Sequence, residues 1–467
     1  MADLNSKNSD QTGNEVTAEQ LLNREKAFLS DLRTRGTLRR WKGYWSKTGP
    51  GWMQSAMTIG GATAMTSLFA GAFYQYKLLW VQPLAMILGI IMLAALSHQT
   101  LSRQERPFFA MKKYIHPVFA WSWAIATLVS TMIWHLPMYA LVGGMTDDIL
   151  KAVFAINPGP VEQNLILISI GIVTLFFAIL ICWNYAKGYK GIKRFENILK
   201  TVVWIIIFCF LFIVIQRSFA TGIEWGKVLK GFLPLYIPTD SRGITVLMGC
   251  FSATVGINMT FLFGYTYLAR GWGKEHEGLA RFDLITGMLI PFLIATSLMI
   301  IATGSTIYDP AKFAGTSTKL SPIEVASMLQ SAGIPMVLSR VIFGLGIVSM
   351  AFNAIILHML VSGFAASEIF GFEAKGWKYK LACLIPSIGI MGVIMWKYIG
   401  PWIAVPASAF AGVMLPIAYI GFFILNNNRS YLKENTPKGK QKLIWNIAMI
   451  IAIAISIINV VYFLTSR

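Results

Sequence analysis

The sequence predicts an all-α integral membrane protein with about eleven transmembrane helices. Three observations carry this. Hydrophobic residues make up 55% of the chain and charged residues 13%, with a mean hydropathy of +0.60. Apolar runs of about 20 residues recur along the chain, each long enough to cross a bilayer as a helix. Basic residues fall between these runs rather than in one patch, so the formal charge of +19 points to lipid headgroups and away from nucleic acid.

The elements follow in order. Residues 1–48 form a polar, basic segment. Within it Thr17 to Lys47 reads as a basic amphipathic helix, with a Thr17-x-x-Gln20 capping box and Leu21, Leu22, Phe28, Leu29 and Leu32 on one side, expected to lie on the inner leaflet. No cleavable signal is expected, because about fifty polar residues precede the first apolar run, which itself directs insertion. Spans are expected near 51–73, 77–101, 118–144, 163–185, 194–217, 243–268, 281–303, 334–365, 379–397, 400–425 and 442–464. Basic clusters alternate sides between them: Arg103, Arg106, Lys112 and Lys113 after the second, Lys187, Lys190, Lys193 and Arg194 after the fourth, Arg270, Lys274 and Arg281 after the sixth. Lys375, Lys378 and Lys380 follow the eighth, and Arg429, Lys433, Lys438, Lys440 and Lys442 the tenth. The positive-inside rule makes these loops and the N-terminus cytoplasmic, and an odd number of spans puts the C-terminus outside a plasma membrane. Asp147 and Asp148 are expected in the outer loop after the third span, and Arg340 is expected to snorkel to the headgroups. The four cysteines lie inside apolar runs without CxxC spacing, so neither disulfide nor zinc site is expected.

The interior of the spans carries the functional signal. Gly60-Gly61-Ala62-Thr63 sits near mid-depth of the first span, where each glycine costs about 1 kcal/mol of helix stability relative to alanine. Gly256 occupies a similar depth in the sixth span. Spans one to five (residues 49–240) and six to ten (residues 241–426) have similar lengths, and five helices per unit place the two units in opposite orientations. Residues 427–467 add a loop and an eleventh helix. Inverted repeats with paired broken helices are the pattern of LeuT-type secondary transporters, whose substrate lies between the breaks. Gly60, Gly61, Ala62, Thr63 and Gly256 are therefore the expected substrate contacts. His135, ionisable within a span, either titrates during transport or stays neutral against a carbonyl freed by Pro137. Ser349 and Asn353, four residues apart on one face, line a coupling-ion site or serve as glue between helices. The sequence holds no phosphate-binding glycine loop, HExxH or GxSxG, so no enzyme activity and no cofactor is expected. The expected partners are a small solute or ion and the bilayer, with the chain a monomer.

Several stretches resemble one family. Gly49-Pro50-Gly51-Trp52, Tyr76-Lys77-Leu78-Leu79-Trp80-Val81, Arg194-Phe195-Glu196, Glu224 to Gly231 and Ser252-Ala253-Thr254-Val255 are similar to the divalent-metal transporters of the natural resistance-associated macrophage protein (NRAMP) family. The resemblance implies a first helix broken at Asp-Pro-Gly-Asn, whose Asp and Asn bind metal; here those positions are Gly60, Gly61, Ala62 and Thr63. It implies a sixth helix reading Ala-Thr-Val-Met-Pro-His-Asn, with Met as the soft ligand. This chain reads Ala253-Thr254-Val255-Gly256-Ile257-Asn258-Met259, which adds Ala253 and Asn258 to the site, puts glycine at the ligand, and leaves Met259 three positions on, expected to point elsewhere. The family's Asp and Glu of the third helix, associated with proton movement, correspond to His135 and Met138. No carboxylate stands at a family metal position. The expectation is a related secondary transporter, working by alternating access, that does not support classical proton-coupled Mn²⁺ or Fe²⁺ transport. A carrier of hydrated Mg²⁺ is one alternative. A carrier of an organic acid, amino acid or other anion held by half-helix N-termini is a second. A non-transporting sensor is the third, disfavoured by the expectation that no effector region follows the last span.

Overall fold

The computed structural model describes residues 18–185, 187–220, 222–309, 320–399 and 404–465. Among them ten helices are long and apolar enough to cross a membrane, and a bent pair makes an eleventh span. That pair is α3 (Pro50–Thr58) and α4 (Gly61–Tyr74), which meet at 54°. Ahead of them lie α1 (Ala18–Thr34) and α2 (Thr37–Trp45). After them come α5 (Val81–Arg103), the short α6 (Pro107–Tyr114), α7 (Pro117–Phe154), α8 (Pro160–Tyr185) and α9 (Tyr189–Ala220). The short α10 (Trp225–Gly231) leads to α11 (Ser241–Thr254) and α12 (Ile257–Ala269), the two halves of the sixth span. The remaining spans are Lys274–Thr306, Val337–Phe370, Gly376–Met395, Phe410–Asn427 and Gly439–Thr465. The core is lined by spans one, two, three, six, seven and eight, whereas Pro160–Tyr185 and Gly439–Thr465 are mostly exposed and hydrophobic, as lipid-facing helices must be.

The third span corrects the sequence reading. It runs on to Phe154, so Asp147 and Asp148 are buried helical residues rather than loop residues. The reason is a partner distant in sequence: Arg340 donates to Asp148 at 2.6 Å, to Gln330 at 2.9 Å and to Ser327 at 3.1 Å. Arg340 is thus an internal clamp rather than a snorkelling side chain.

The N-terminal helices pack on protein. Thr17 lies outside the described residues, but part of the apolar side of α1 is covered by the chain itself. Leu29 and Leu32 are buried, and Glu25 is 1% exposed. The Glu25 carboxylate accepts hydrogen bonds from Tyr189 Oη at 2.9 Å, Trp272 Nε1 at 3.1 Å and Lys47 Nζ at 3.4 Å. Arg270, also buried, pairs with Glu196 at 3.3 Å, donates to the Lys47 carbonyl at 3.1 Å and stacks between the rings of Tyr189 and Trp272. Beside this cluster the buried carboxylate of Asp283 accepts from Gly49 N at 3.1 Å and Gly51 N at 2.6 Å, capping α3 from the seventh span. A Cβ on Gly51 would collide with the Asp283 carbonyl oxygen, and one on Gly49 with Glu196 Oε2. The Gly-Pro-Gly opening therefore follows from close approach: Gly49 admits the Glu196 carboxylate, Gly51 admits the Asp283 backbone carbonyl, and the proline between them, at the first position of α3, needs no donor of its own.

Glu25 makes stability at this end pH-dependent. Burial alone would raise its pKa, but the charges of Arg270 and Lys47 and the Tyr189 hydrogen bond outweigh burial and hold it below the ordinary 4.5. The stabilisation is complete above the unfolded value and is lost as pH falls through the lowered folded value. Melting temperature should therefore drop more steeply below about pH 4.5 in the wild type than in Glu25→Gln; parallel curves would refute the assignment.

Candidate functional site

Both broken spans leave helix ends in the middle of the fold. In the first, α3 stops at Thr58, Ile59 leaves helical geometry (φ −78°, ψ 57°), and extended Gly60 caps α4. In the sixth, α11 stops at Thr254, Val255 is extended, and Gly256 caps α12. Each break exposes carbonyls from one half-helix and N–H groups from the other. Thr63 joins the two: its hydroxyl reaches the Thr58 carbonyl at 2.6 Å and the Ala253 carbonyl at 3.2 Å.

Between the breaks lies a cavity with about 30 Å³ of room for the centres of water-sized groups. A single water needs roughly 10–15 Å³ by this measure, so two small groups fill it. Gly60, Gly61, Ala62, Thr63, Ala253, Gly256 and Asn258, the seven positions singled out from sequence, all line it. So do Met57, Thr58, Trp134, Met138, Ser252, Met259, Ala354 and His358.

Met259 corrects the sequence reading. Its sulfur accepts from Thr58 Oγ1 at 3.4 Å and from Gly256 N at 3.5 Å, so it sits at the junction of both breaks instead of pointing away. The cause is the restart of the helix at Ile257. A helical side chain leans toward the N-terminus and covers the turn before its own Cα, so a residue in the first turn reaches back over the break. Counting along an unbroken helix misses this. Met138 enters through a similar opening: a Cβ on Gly61 would stand 2.9 Å from its sulfur and would overlap Leu141 Cδ1, so the missing Cβ leaves room for Leu141 and the thioether together.

The remaining sequence candidates lie apart. His135 is behind the cavity wall, completely buried, with Nδ1 at 2.5 Å from the Pro386 carbonyl and Nε2 at 3.1 Å from that of Ile355. These partners come from other spans, not from the carbonyl freed by Pro137. Its ring lies 5.9 Å from that of His358, which does line the cavity. Asn353 is fully buried, and neither polar atom of its side chain bonds to protein; Ser349 is half-buried one turn away. Among the described residues, no group of three or more His, Cys, Asp or Glu is placed to hold a metal ion. The four cysteines carry free thiols.

Comparison with known proteins fits this geometry. The family described as "Natural resistance-associated macrophage protein-like" matches residues 51–465. The chain belongs to the Nramp family. Its similarity to individual members is low. It is 25% identical over 267 residues to the divalent metal cation transporter MntH of Brucella suis, a stretch spanning 55% of this chain and 54% of that relative, so this match covers about half of each. It is 21% identical over 430 residues to the MntH of Levilactobacillus brevis, covering 88% of each. Among solved structures, a single-residue mutant of the Eremococcus coleocola manganese transporter shares the Nramp fold at a TM-score of 0.72 and 16% identity, over 91% of this chain and 89% of that one. A nucleobase-cation-symport-1 family transporter, at a TM-score of 0.53 and 12% identity over 88% of this chain and 91% of that one, shares the wider inverted-repeat fold.

Proposed function

We propose that this Nramp protein is a secondary transporter that carries a small cation by alternating access through the cavity between the two breaks, with the N-terminus cytoplasmic. The relatives named as metal transporters support transport of an ion, and the cavity supports a cation. The lining groups of known direction are lone-pair donors: the carbonyls of Thr58 and Ala253, turned toward Thr63, and the sulfurs of Met138 and Met259. The size supports the same reading, since room for roughly two waters in this conformation suits a small ion better than an amino acid, an organic acid or a Mg²⁺ ion with its full hydration shell. A divalent transition metal bound by dehydration requires carboxylates that the lining lacks. Proton coupling through acids is unsupported, because His135 and Met138 stand where the family resemblance places them.

Uptake into proteoliposomes of Mn²⁺, Mg²⁺, Cu⁺, K⁺, alanine and citrate, with internal pH recorded, tests this reading. Saturable uptake of a cation is expected. Uptake of alanine or citrate alone would refute the cation assignment, Mn²⁺ uptake with acidification would refute the remodelled site, and uptake of nothing would favour the sensor.

A further inference from the structure

We infer that the cation is soft and monovalent, of the Cu(I) class, held by the thioethers of Met138 and Met259. This rests on the reading of the cavity as the transport site. Two methionines from different helices, Met138 of α7 and Met259 of α12, line the cavity between the breaks. Met259 Sδ lies within 3.5 Å of both Thr58 Oγ1 and Gly256 N, and the Met138 thioether packs close to Gly61, its Sδ 2.9 Å from where a Cβ would stand. The cavity is thus lined by both thioethers, and His358 adds an imidazole there. Thioether donors select Cu(I) among the first-row metals, whereas carboxylate and water suit Mg²⁺, Ca²⁺ and Mn²⁺.

Charge leads to the same class. The desolvation cost of an ion rises with the square of its charge, so a doubly charged ion costs about four times as much to strip as a singly charged one of the same size. The cavity offers dipoles and sulfur but no acid to offset the larger cost. K⁺ is monovalent but hard, and gains nothing from thioether ligands. Cu(I) arrives reduced and leaves reduced, so the step is ligand exchange: the weak contacts from Thr58 and Gly256 to the Met259 sulfur give way to coordination, and no electron moves.

The test uses the full chain in detergent and in proteoliposomes, with Cu(I) under ascorbate and a competing chromophoric chelator, and Ag(I) as a redox-inert probe. Wild type is expected to hold one Cu(I) or Ag(I) per chain, and Met138→Leu and Met259→Leu each to weaken it at least about tenfold. Leucine keeps each side chain's approximate volume, so circular dichroism and melting temperature are expected to be retained. Sulfur neighbours in the Cu X-ray absorption spectrum of the wild type provide a readout that needs no variant; a shell of nitrogen and oxygen alone would overturn the assignment. So would unchanged Cu(I) affinity in the folded double variant. Saturable uptake of another cation with no Cu(I) uptake would overturn the substrate class while leaving transport standing. Cu(I) bound through these sulfurs with no uptake of any ion would overturn the transport reading and leave the site assignment in place.

Discussion

Arg270→Met is expected to destabilise the protein by about 3–5 kcal/mol, seen as a large fall in melting temperature in detergent and as loss of protein after membrane extraction. Arg270 is 3% exposed and is the charge that Glu196 and Glu25 share, each no more exposed than itself. Removing it leaves two buried carboxylates on α9 and α1 facing each other's field and the Asp283 charge, with Lys47 and Lys193 to offset them. Methionine keeps much of the packing against Tyr189 and Trp272, so the measured loss reports charge and hydrogen bonding rather than a cavity. Protonation of the orphaned acids should restore part of the stability, so the deficit relative to wild type is expected to shrink as pH falls from neutral through the ordinary glutamate range. A deficit independent of pH, or one under about 1 kcal/mol, would show that the cluster is not a charge network.

The second large effect concerns function rather than folding. Gly61→Leu is expected to lower uptake of whichever ion the wild type carries by at least about a hundredfold while costing about 1–3 kcal/mol in stability, the range for overpacking. The Cβ alone would overlap Leu141 Cδ1 and stand 2.8 Å from Met138 Cε, so the new side chain must displace the thioether or fill a cavity with about 30 Å³ to spare. The neighbours it meets are flexible side-chain ends rather than backbone, which is why the fold should survive. Unaltered uptake by a variant with normal melting would place the transport path elsewhere.

The sequence carried the broad architecture because bilayer solvation imposes a long-wavelength signal: runs of about 20 apolar residues and basic loops between them are visible without any tertiary information. The two breaks were legible because glycine at mid-depth weakens a helix at the depth where unpaired backbone groups cost most. Tertiary pairing was not legible. Asp148 and Arg340 meet across 192 residues, and with Arg340 unseen the acids read as a loop. The apolar side of α1 has the same periodicity whether it covers lipid or protein; only the single acid Glu25, buried against Trp272 and Tyr189, separates the two cases. Met259 was missed for a local reason, since its direction depends on where the helix restarts, and a boundary shift of one residue turns a side chain by about 100°. Met138 was missed as a lining residue because its close approach to the break depends on a residue of another span, Gly61, having no side chain.

Thr63 carries a further consequence. Its oxygen holds a single hydrogen but faces two carbonyls, one at the end of α3 in the first span and the other near the end of α11 in the sixth. At any instant one carbonyl is served and the other is not. The two broken spans are therefore joined at their centre by a bond that is half-made by construction, and in the proposed alternating access it would be given up by handing over one proton's direction instead of breaking a full bond. The hydroxyl is a bridge with a built-in spare acceptor, at the point where the proposed alternating access would move the two units past each other.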